Sequence, residues 1–164
     1  VMLEFKIPAR GLIGFRSQYL TDTKGLGIMN TLFDSYEPWF GPIPKRSSGV
    51  LVGDRQGNVT SFAYFAMAER GILFTKVGIE VYEGMIIGER NRVGDLYVNI
   101  TKEKKLTNMR AAGSDSTVTL RPPQIMSLDR CIEFIDDDEL IEVTPKTIRM
   151  RKRELNKNKR EKQA

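Results

Sequence analysis

The sequence predicts an α+β fold: a β-α-β unit, then a β-rich part built as a small curved sheet or barrel with short helices and carrying a long basic loop. Three observations predict it. Residues 2–36 read in turn as strand, helix and strand. Between residues 49 and 100, short apolar runs are punctuated by Gly78, Gly84, Gly88 and Gly94, the spacing of strands in a small curved sheet or barrel. Residues 101–121, TKEKKLTNMRAAGSDSTVTLR, hold too few apolar anchors to bury themselves and read as a surface loop.

Residues 2–7 alternate as a strand, with Leu3, Phe5 and Ile7 on one face, and Pro8 ends it. Gly11 to Leu20 reads as a helix with Leu12, Phe15 and Tyr19 on one side. Thr23–Gly27 is a turn, and Ile28–Tyr36 returns as a strand. Pro38, Gly41, Pro42 and Pro44 form a break, so the expected domains are 1–40 and 41–164. Residues 49–53 and 59–62 read as strands across a turn at Asp54–Asn58, and Ser61–Arg70 as a mostly buried helix closed by Gly71. Ile72–Phe74, Glu80–Tyr82, Ile86–Arg90, Tyr97–Ile100 and Thr117–Leu120 are further expected strands. Pro122-Pro123 stops the chain. Ser127 then caps a helix over Leu128–Ile135, with Leu128, Cys131, Ile132 and Ile135 inward. Leu140–Val143 is a strand, and the tail 146–164 is strongly basic, helical at most in part, and frayed beyond about Leu155.

The 164 residues carry a net charge of +5, so an acidic partner fits, without distinguishing RNA, DNA and membrane. No run is long and apolar enough to span a bilayer. One cysteine, Cys131, leaves no internal disulfide and fits a reducing compartment. There is no histidine, which removes His-based triads and nearly all catalytic zinc geometry. The chain opens inside an expected strand without an initiator Met and reads as a piece cut from a longer protein.

Gly11-Leu12-Ile13-Gly14-Phe15-Arg16-Ser17 lacks the spacing and lysine of a phosphate loop, and its glycines read as close-packing positions. Asp54-Arg55-Gln56-Gly57 matches DxxG but sits where Asp and Gly are turn residues. Asp136–Glu139 cannot converge on one ion from consecutive helical positions, and reads as a solvated helix end or a partner for the basic tail. In the 101–121 segment, cations suit phosphates while Asn108 and Ser114 can reach sugars or base edges. Taken alone, the segment leaves open both a polyanion-binding loop and a solvated hairpin tip. In the tail, Ile148, Met150 and Leu155 interleave with the cations, so the first part can dock and present a fixed patch suited to phosphate contact.

Together these residues resemble the TypA/BipA family of translational GTPases. FKIPARGLIGFRSQYLTDTKGLGIMNTLFDSYEP resembles the second half of a ferredoxin-like domain that the family shares with elongation factor G. EVYEGMIIGE, DLYVN, KKLTNMRA, the Pro122-Pro123 pair, FIDDDELIEVTP and IRMRKREL resemble the C-terminal domain particular to the family. The resemblance covers essentially the whole chain, and EVYEGMIIGE, KKLTNMRA and FIDDDELIEVTP are specific in combination.

The resemblance implies a cytoplasmic, ribosome-binding GTPase linked to stress, growth at low temperature and large-subunit assembly. It implies binding near the A site, with the basic loop touching large-subunit rRNA and the acceptor end of A-site tRNA. Carried over, that loop is Lys104, Lys105, Leu106, Thr107, Asn108, Met109, Arg110, Gly113 and Asp115. With the reading of the residues themselves, the expected RNA-binding set is Lys102, Lys104, Lys105, Thr107, Asn108, Arg110 and Ser114, joined by Lys146, Arg149, Arg151, Lys152 and Arg153 of the tail. No catalytic residue, metal ligand or cofactor site is expected in this chain; GTP and Mg belong to the parent by resemblance. The family's GTPase domain and first half-domain are lacking, so the fragment is expected neither to bind nor to hydrolyse GTP. Its half-unit is expected to self-associate through residues 1–40 or to be disordered there. Two other functions compete: a protein-interaction module, and an enzyme using Glu80, Glu83 or Asp95.

Overall fold

The computed structural model describes residues 1–43, 46–104 and 119–161. The chain divides into two units, residues 1–45 and 46–164. The second is built around β1 (Val50–Gly53), a run buried at every position. Such a run suits a strand covered on both faces. It pairs antiparallel with β5 (Met85–Arg90) and parallel with β6 (Leu96–Val98), with a bulge between Leu51 and Val52 where it faces β5. The other edge of β5 is shared: Met85 and Ile86 pair with β8 (Ile148–Lys152), and Gly88 to Arg90 pair with β3 (Gly71–Leu73). β7 (Glu139–Val143) closes the row as the antiparallel partner of β8. β2 (Gly57–Asn58) and β4 (Glu80–Val81) form a separate two-stranded ladder.

Alternation of side chains along each strand sends residues to two cores. Leu51, Met85 and Ile87 pack with Val98, Ile100, Ala63 and Tyr64 beneath α2 (Ser61–Ala68). Val50, Val52, Ile86 and Met150 pack with Cys131 of α3 (Leu128–Phe134) and with Phe74 and Phe134, whose rings meet edge-on at 5.3 Å. The sheet thus lies between two short helices, and the α+β class holds. The path β6-β1-β5-β8-β7 is open, so of the two forms expected it is a sheet and not a closed barrel. No helix among the described residues is long and apolar enough to cross a membrane.

Several elements differ from expectation. Residues 59–62 are not a strand: Thr60 is the N-cap of α2, its hydroxyl accepting from the Ala63 amide at 3.2 Å. The Asp54–Gly57 turn joins β1 to a β2 that pairs with β4 rather than with β1. Thr119 and Leu120 lie in no strand, and residues 117–118 fall outside the described residues. In α3, Ser127 caps as expected, yet Leu128 and Ile132 are exposed; seven residues give only two turns, and Cys131 with Phe134 fills the inward side. The start of the tail is strand β8, not helix.

In the first unit, a 3-10 helix (Ala9–Leu12) and α1 (Phe15–Asp22) replace the single expected helix. Gly14 separates them at φ 80°, a left-handed conformation that costs a residue with a Cβ about 1–2 kcal/mol. Residues 2–7 and 28–36 form no strand, because neither finds a ladder partner among the described residues. Lys6 instead bridges Asp34 (2.5 Å) and Glu37 (2.6 Å), and Arg10 lies over the Trp39 ring. Leu3, Phe5, Leu32, Phe33 and Phe40 are exposed, the apolar surface expected of the first forty residues.

Candidate nucleic-acid interface

α2 holds both stems of the basic segment. The Thr60 hydroxyl, while accepting from Ala63, donates to the Lys102 carbonyl at 2.6 Å, and the Thr60 amide donates to the Ile100 carbonyl at 3.1 Å. One turn further on, the Tyr64 hydroxyl donates to the Arg121 carbonyl at 2.7 Å. The Tyr64 ring is buried and fixed in the core, and burial pushes its hydroxyl above the ordinary tyrosine range, so it remains a donor. Both stems of the segment, at Lys102 and Arg121, are thus held by side chains four residues apart, the N-cap Thr60 and Tyr64 of α2. Lys102, Lys104 and Arg121 are exposed at these stems. Lys105, Thr107, Asn108, Arg110 and Ser114 lie outside the described residues.

The tail cations, expected as one patch, are divided by the alternation of β8. Arg149 and Arg151 point away from Met150 and Lys152. Arg151 Nε lies 2.7 Å from Glu142 Oε1, and the Tyr82 hydroxyl donates to Glu142 Oε2 at 2.6 Å. Burial, then the Glu142 carboxylate, holds that hydroxyl well above the ordinary tyrosine range. Arg153 is exposed and donates to the Asp137 carbonyl at 2.8 Å; Lys146 is exposed in the turn between β7 and β8.

Lys152 is the exception among the expected phosphate contacts. It is buried, and its Nζ lies 2.6 Å from Asp95, 2.8 Å from Asp138 and 2.9 Å from Glu139. Glu139 is buried too. Arg46 grips it in a fork at 2.5 and 2.8 Å, and also donates to the Phe134 carbonyl while resting on the Phe134 ring. In this structure Lys152 therefore binds the body together rather than facing an outside anion. The acidic run lies past the end of α3 and does pair with the tail. Among the described residues no group of three or more His, Cys, Asp or Glu side chains could hold a metal ion.

Burial pushes the Glu139 carboxyl up, but hydrogen bonds from Arg46 and Lys152 outweigh it and hold the group below the ordinary carboxylate range. For Lys152, burial works downward and the three carboxylates outweigh it, raising the ammonium. The depressed Glu139 stabilises the fold above its unfolded pKa of about 4.3 and loses that contribution as pH falls through and below this value. The raised Lys152 contributes fully below about 10.4 and loses its share as pH rises beyond it. Urea unfolding across pH is expected to show wild type losing more stability on acidification below about pH 5 than Glu139→Gln. Equal acid slopes would remove the node from this role.

Three carboxylates weighed as catalytic are engaged structurally: Glu80 accepts from Gln56, Glu83 from the Lys157 amide, and Asp95 from Lys152 and the Val50 amide. The residues that sequence reasoning missed are Thr60, Tyr64, Arg121 and Arg46. A hydroxyl at an N-cap and a Tyr on an inward helical face were the available signals. Beyond β8, Leu155 passes against Gly84, whose φ is 84° and whose Cβ, if present, would meet the Leu155 backbone at 2.8 Å. Arg160 of the short helix α4 (Lys157–Glu161) donates to the Tyr97 hydroxyl at 3.2 Å and packs over its ring, so the tail is docked past the expected limit.

Comparison with known proteins adds the relatives. The family model described as the TypA/BipA C-terminal domain matches residues 48–157, and that of the elongation factor G C-terminus matches residues 1–47. The chain is 48% identical over 165 residues to the large ribosomal subunit assembly factor BipA of Bacillus subtilis, covering 100% of this chain and 27% of that protein. It is 52% identical over 161 residues to the protein of the same name in Salmonella typhimurium, covering 98% and 26%. For that of Escherichia coli K12 the identity is 51% over 161 residues, with 98% and 26% covered. The chain thus spans about a quarter of the length of these relatives.

Proposed function

Since this chain belongs to the TypA/BipA family, we propose that it is the ribosome-docking C-terminal part of a translational GTPase that assists assembly of the large ribosomal subunit in the cytoplasm. The observation that carries this reading is the fixing of both stems of the basic segment on α2. Stems fixed in this way hold the backbone at Lys102 and Arg121 in a defined place, which phosphate recognition needs. Large-subunit rRNA and the acceptor end of A-site tRNA are the proposed anions. Lys102, Lys104, Lys105 and Arg110 supply charge, and Thr107, Asn108 and Ser114 supply hydrogen bonds. Lys146, Arg149, Arg151 and Arg153 form a second contact, while Lys152 fixes the strand that carries Arg149 and Arg151. GTP and Mg are proposed for the longer parent and not for this chain, and so is the link to stress and cold adaptation. The apolar side chains of residues 1–40 are proposed to support self-association of the isolated chain.

Co-sedimentation of the chain with large ribosomal subunits across a salt series tests the reading. Phosphate contacts release counterions, so affinity is expected to fall steeply, by about 0.7–0.9 log units per contact for each log unit of salt. Binding indifferent to salt would instead mark a contact with a ribosomal protein, the competing function.

A further inference from the structure

β8 is basic, its neighbour β7 carries carboxylates, and the two are in register: Glu139 stands opposite Lys152, and Glu142 opposite Arg149. Glu139 and Lys152 belong to the buried node. Glu142, Arg149 and Arg151 lie on the other face of the sheet and are held differently. Arg151 Nε lies 2.7 Å from Glu142 Oε1, yet the contact is not aligned as a hydrogen bond, and this buried N–H finds no acceptor among the described residues. Nη1 of the same guanidinium donates to the Lys152 and Arg153 carbonyls at 3.2 and 3.3 Å, long for a charged donor. Glu142 has a second partner, since the Tyr82 hydroxyl donates to its Oε2 at 2.6 Å. The Arg151 side chain is 25% exposed and that of Glu142 35%, so solvent reaches the pair. One poorly aligned carboxylate thus holds Arg151, where three hold Lys152.

We infer that Glu142 is an internal competitor for Arg151: its carboxylate masks the guanidinium and yields it to a phosphate of an RNA strand that also engages Arg149. The inference rests on the RNA-docking reading above and names the residue that restrains its β8 contact. A phosphate oxygen accepts from a guanidinium as a carboxylate does. The exchange leaves nothing bare, because the Nε–H gains the acceptor it lacks and the released carboxylate keeps Tyr82. Arg149 and Arg151, two residues apart on one strand face, are separated by about 6–7 Å, which suits neighbouring phosphates of one chain better than a lone anion. Of the charged side chains that β7 and β8 place on this face, Arg149 and Arg151 are cations and Glu142 is the anion. The carboxylates that flank the strands are engaged with backbone, Glu83 accepting from the Lys157 amide and Glu154 from the Asn156 amide.

Fluorescence anisotropy of a labelled RNA oligonucleotide across a salt series tests it on the whole chain. Glu142→Gln keeps the shape and removes the charge. It is expected to raise affinity about 5-fold near 0.1 M salt and to steepen the log–log salt slope by about 0.7–0.9, the signature of one added phosphate contact. Tyr82→Phe keeps the ring but withdraws the carboxylate's other partner, so Glu142 turns wholly to Arg151 and binding is expected to weaken about 2-fold. In Tyr82→Phe/Glu142→Gln that loss is expected to vanish, an epistasis that a merely structural hydroxyl would not show. In Glu142→Gln/Arg151→Ala the gain is expected to vanish as well. Salt-steep wild-type binding with unchanged or weakened affinity in Glu142→Gln overturns the mask and leaves the RNA reading standing. A gain that survives Arg151→Ala is an effect of net charge and also overturns the mask. Wild-type binding that is lacking or indifferent to salt overturns both.

Discussion

Lys152→Ala is expected to lower the stability of residues 46–164 by about 3–5 kcal/mol, the usual loss when one partner of a buried ion pair is removed. The Lys152 side chain is 3% exposed and the Glu139 side chain 0%. After the substitution Glu139 keeps Arg46, but Asp95 and Asp138 lose their common cation at the joint between the chain before β6, the acidic run and β8. Asp138, 63% exposed, can hydrate and contributes little to the loss; the buried Glu139 and the 25%-exposed Asp95 cannot do so freely. Thermal unfolding is expected to move down on the order of 10 °C or more. Lys152→Met keeps the aliphatic stem and isolates the charge; it is expected to recover packing but not the carboxylates' partner. Arg153→Ala, at an exposed position, is expected to change stability by less than about 0.5 kcal/mol. The contrast separates structural cations from surface ones within a single basic stretch. A loss below about 1 kcal/mol for Lys152→Ala would remove the node from the account of stability.

Lys152 also shows how far the sequence was legible. Read as a partly helical tail, IRMRK offers Ile148 and Met150 as docking positions and no reason to place Lys152 with them. Read with a period of two, Ile148, Met150 and Lys152 share a face, and Lys152 falls inside. The partners that make a buried lysine tolerable, Asp95 and Glu139, lie 57 and 13 residues away in the chain, a pairing that local pattern cannot reveal. The strands around β5 were legible because their apolar runs and glycine breaks are local. The partnership of β1 with β6 in parallel, and of β5 with three strands, depends on long-range closure and was not. In the first unit, strand-like alternation was visible at residues 2–7 and 28–36, but alternation reports only that a segment could pair, and no partner is found among the described residues. At the candidate interface, composition marked the basic segment, while its anchoring depended on single hydroxyls, Thr60 and Tyr64, whose acceptors lie 42 and 57 residues away.

Replacing Lys104, Lys105 and Arg110 together with alanine is expected to lower the log–log salt slope of large-subunit binding by about 2–3, since each lost phosphate contact removes roughly 0.7–0.9. At low salt that amounts to the loss of most measurable affinity; at high salt, where the contacts are already screened, wild type and variant are expected to converge. The thermal unfolding midpoint is expected to move little, because a cation-rich segment with few apolar anchors contributes little burial to the fold. In a longer parent that carries a GTPase domain, intrinsic GTP hydrolysis is expected to persist while ribosome binding weakens, because the loop bears charge for docking and no group for phosphoryl transfer. The slope, more than the affinity, decides the case. A variant that binds less well with an unchanged slope has lost something other than phosphate contacts. A variant with unchanged affinity and slope moves the anion contact to Arg149 and Arg151 on the strand that Lys152 holds in place, and to Arg153 just past it.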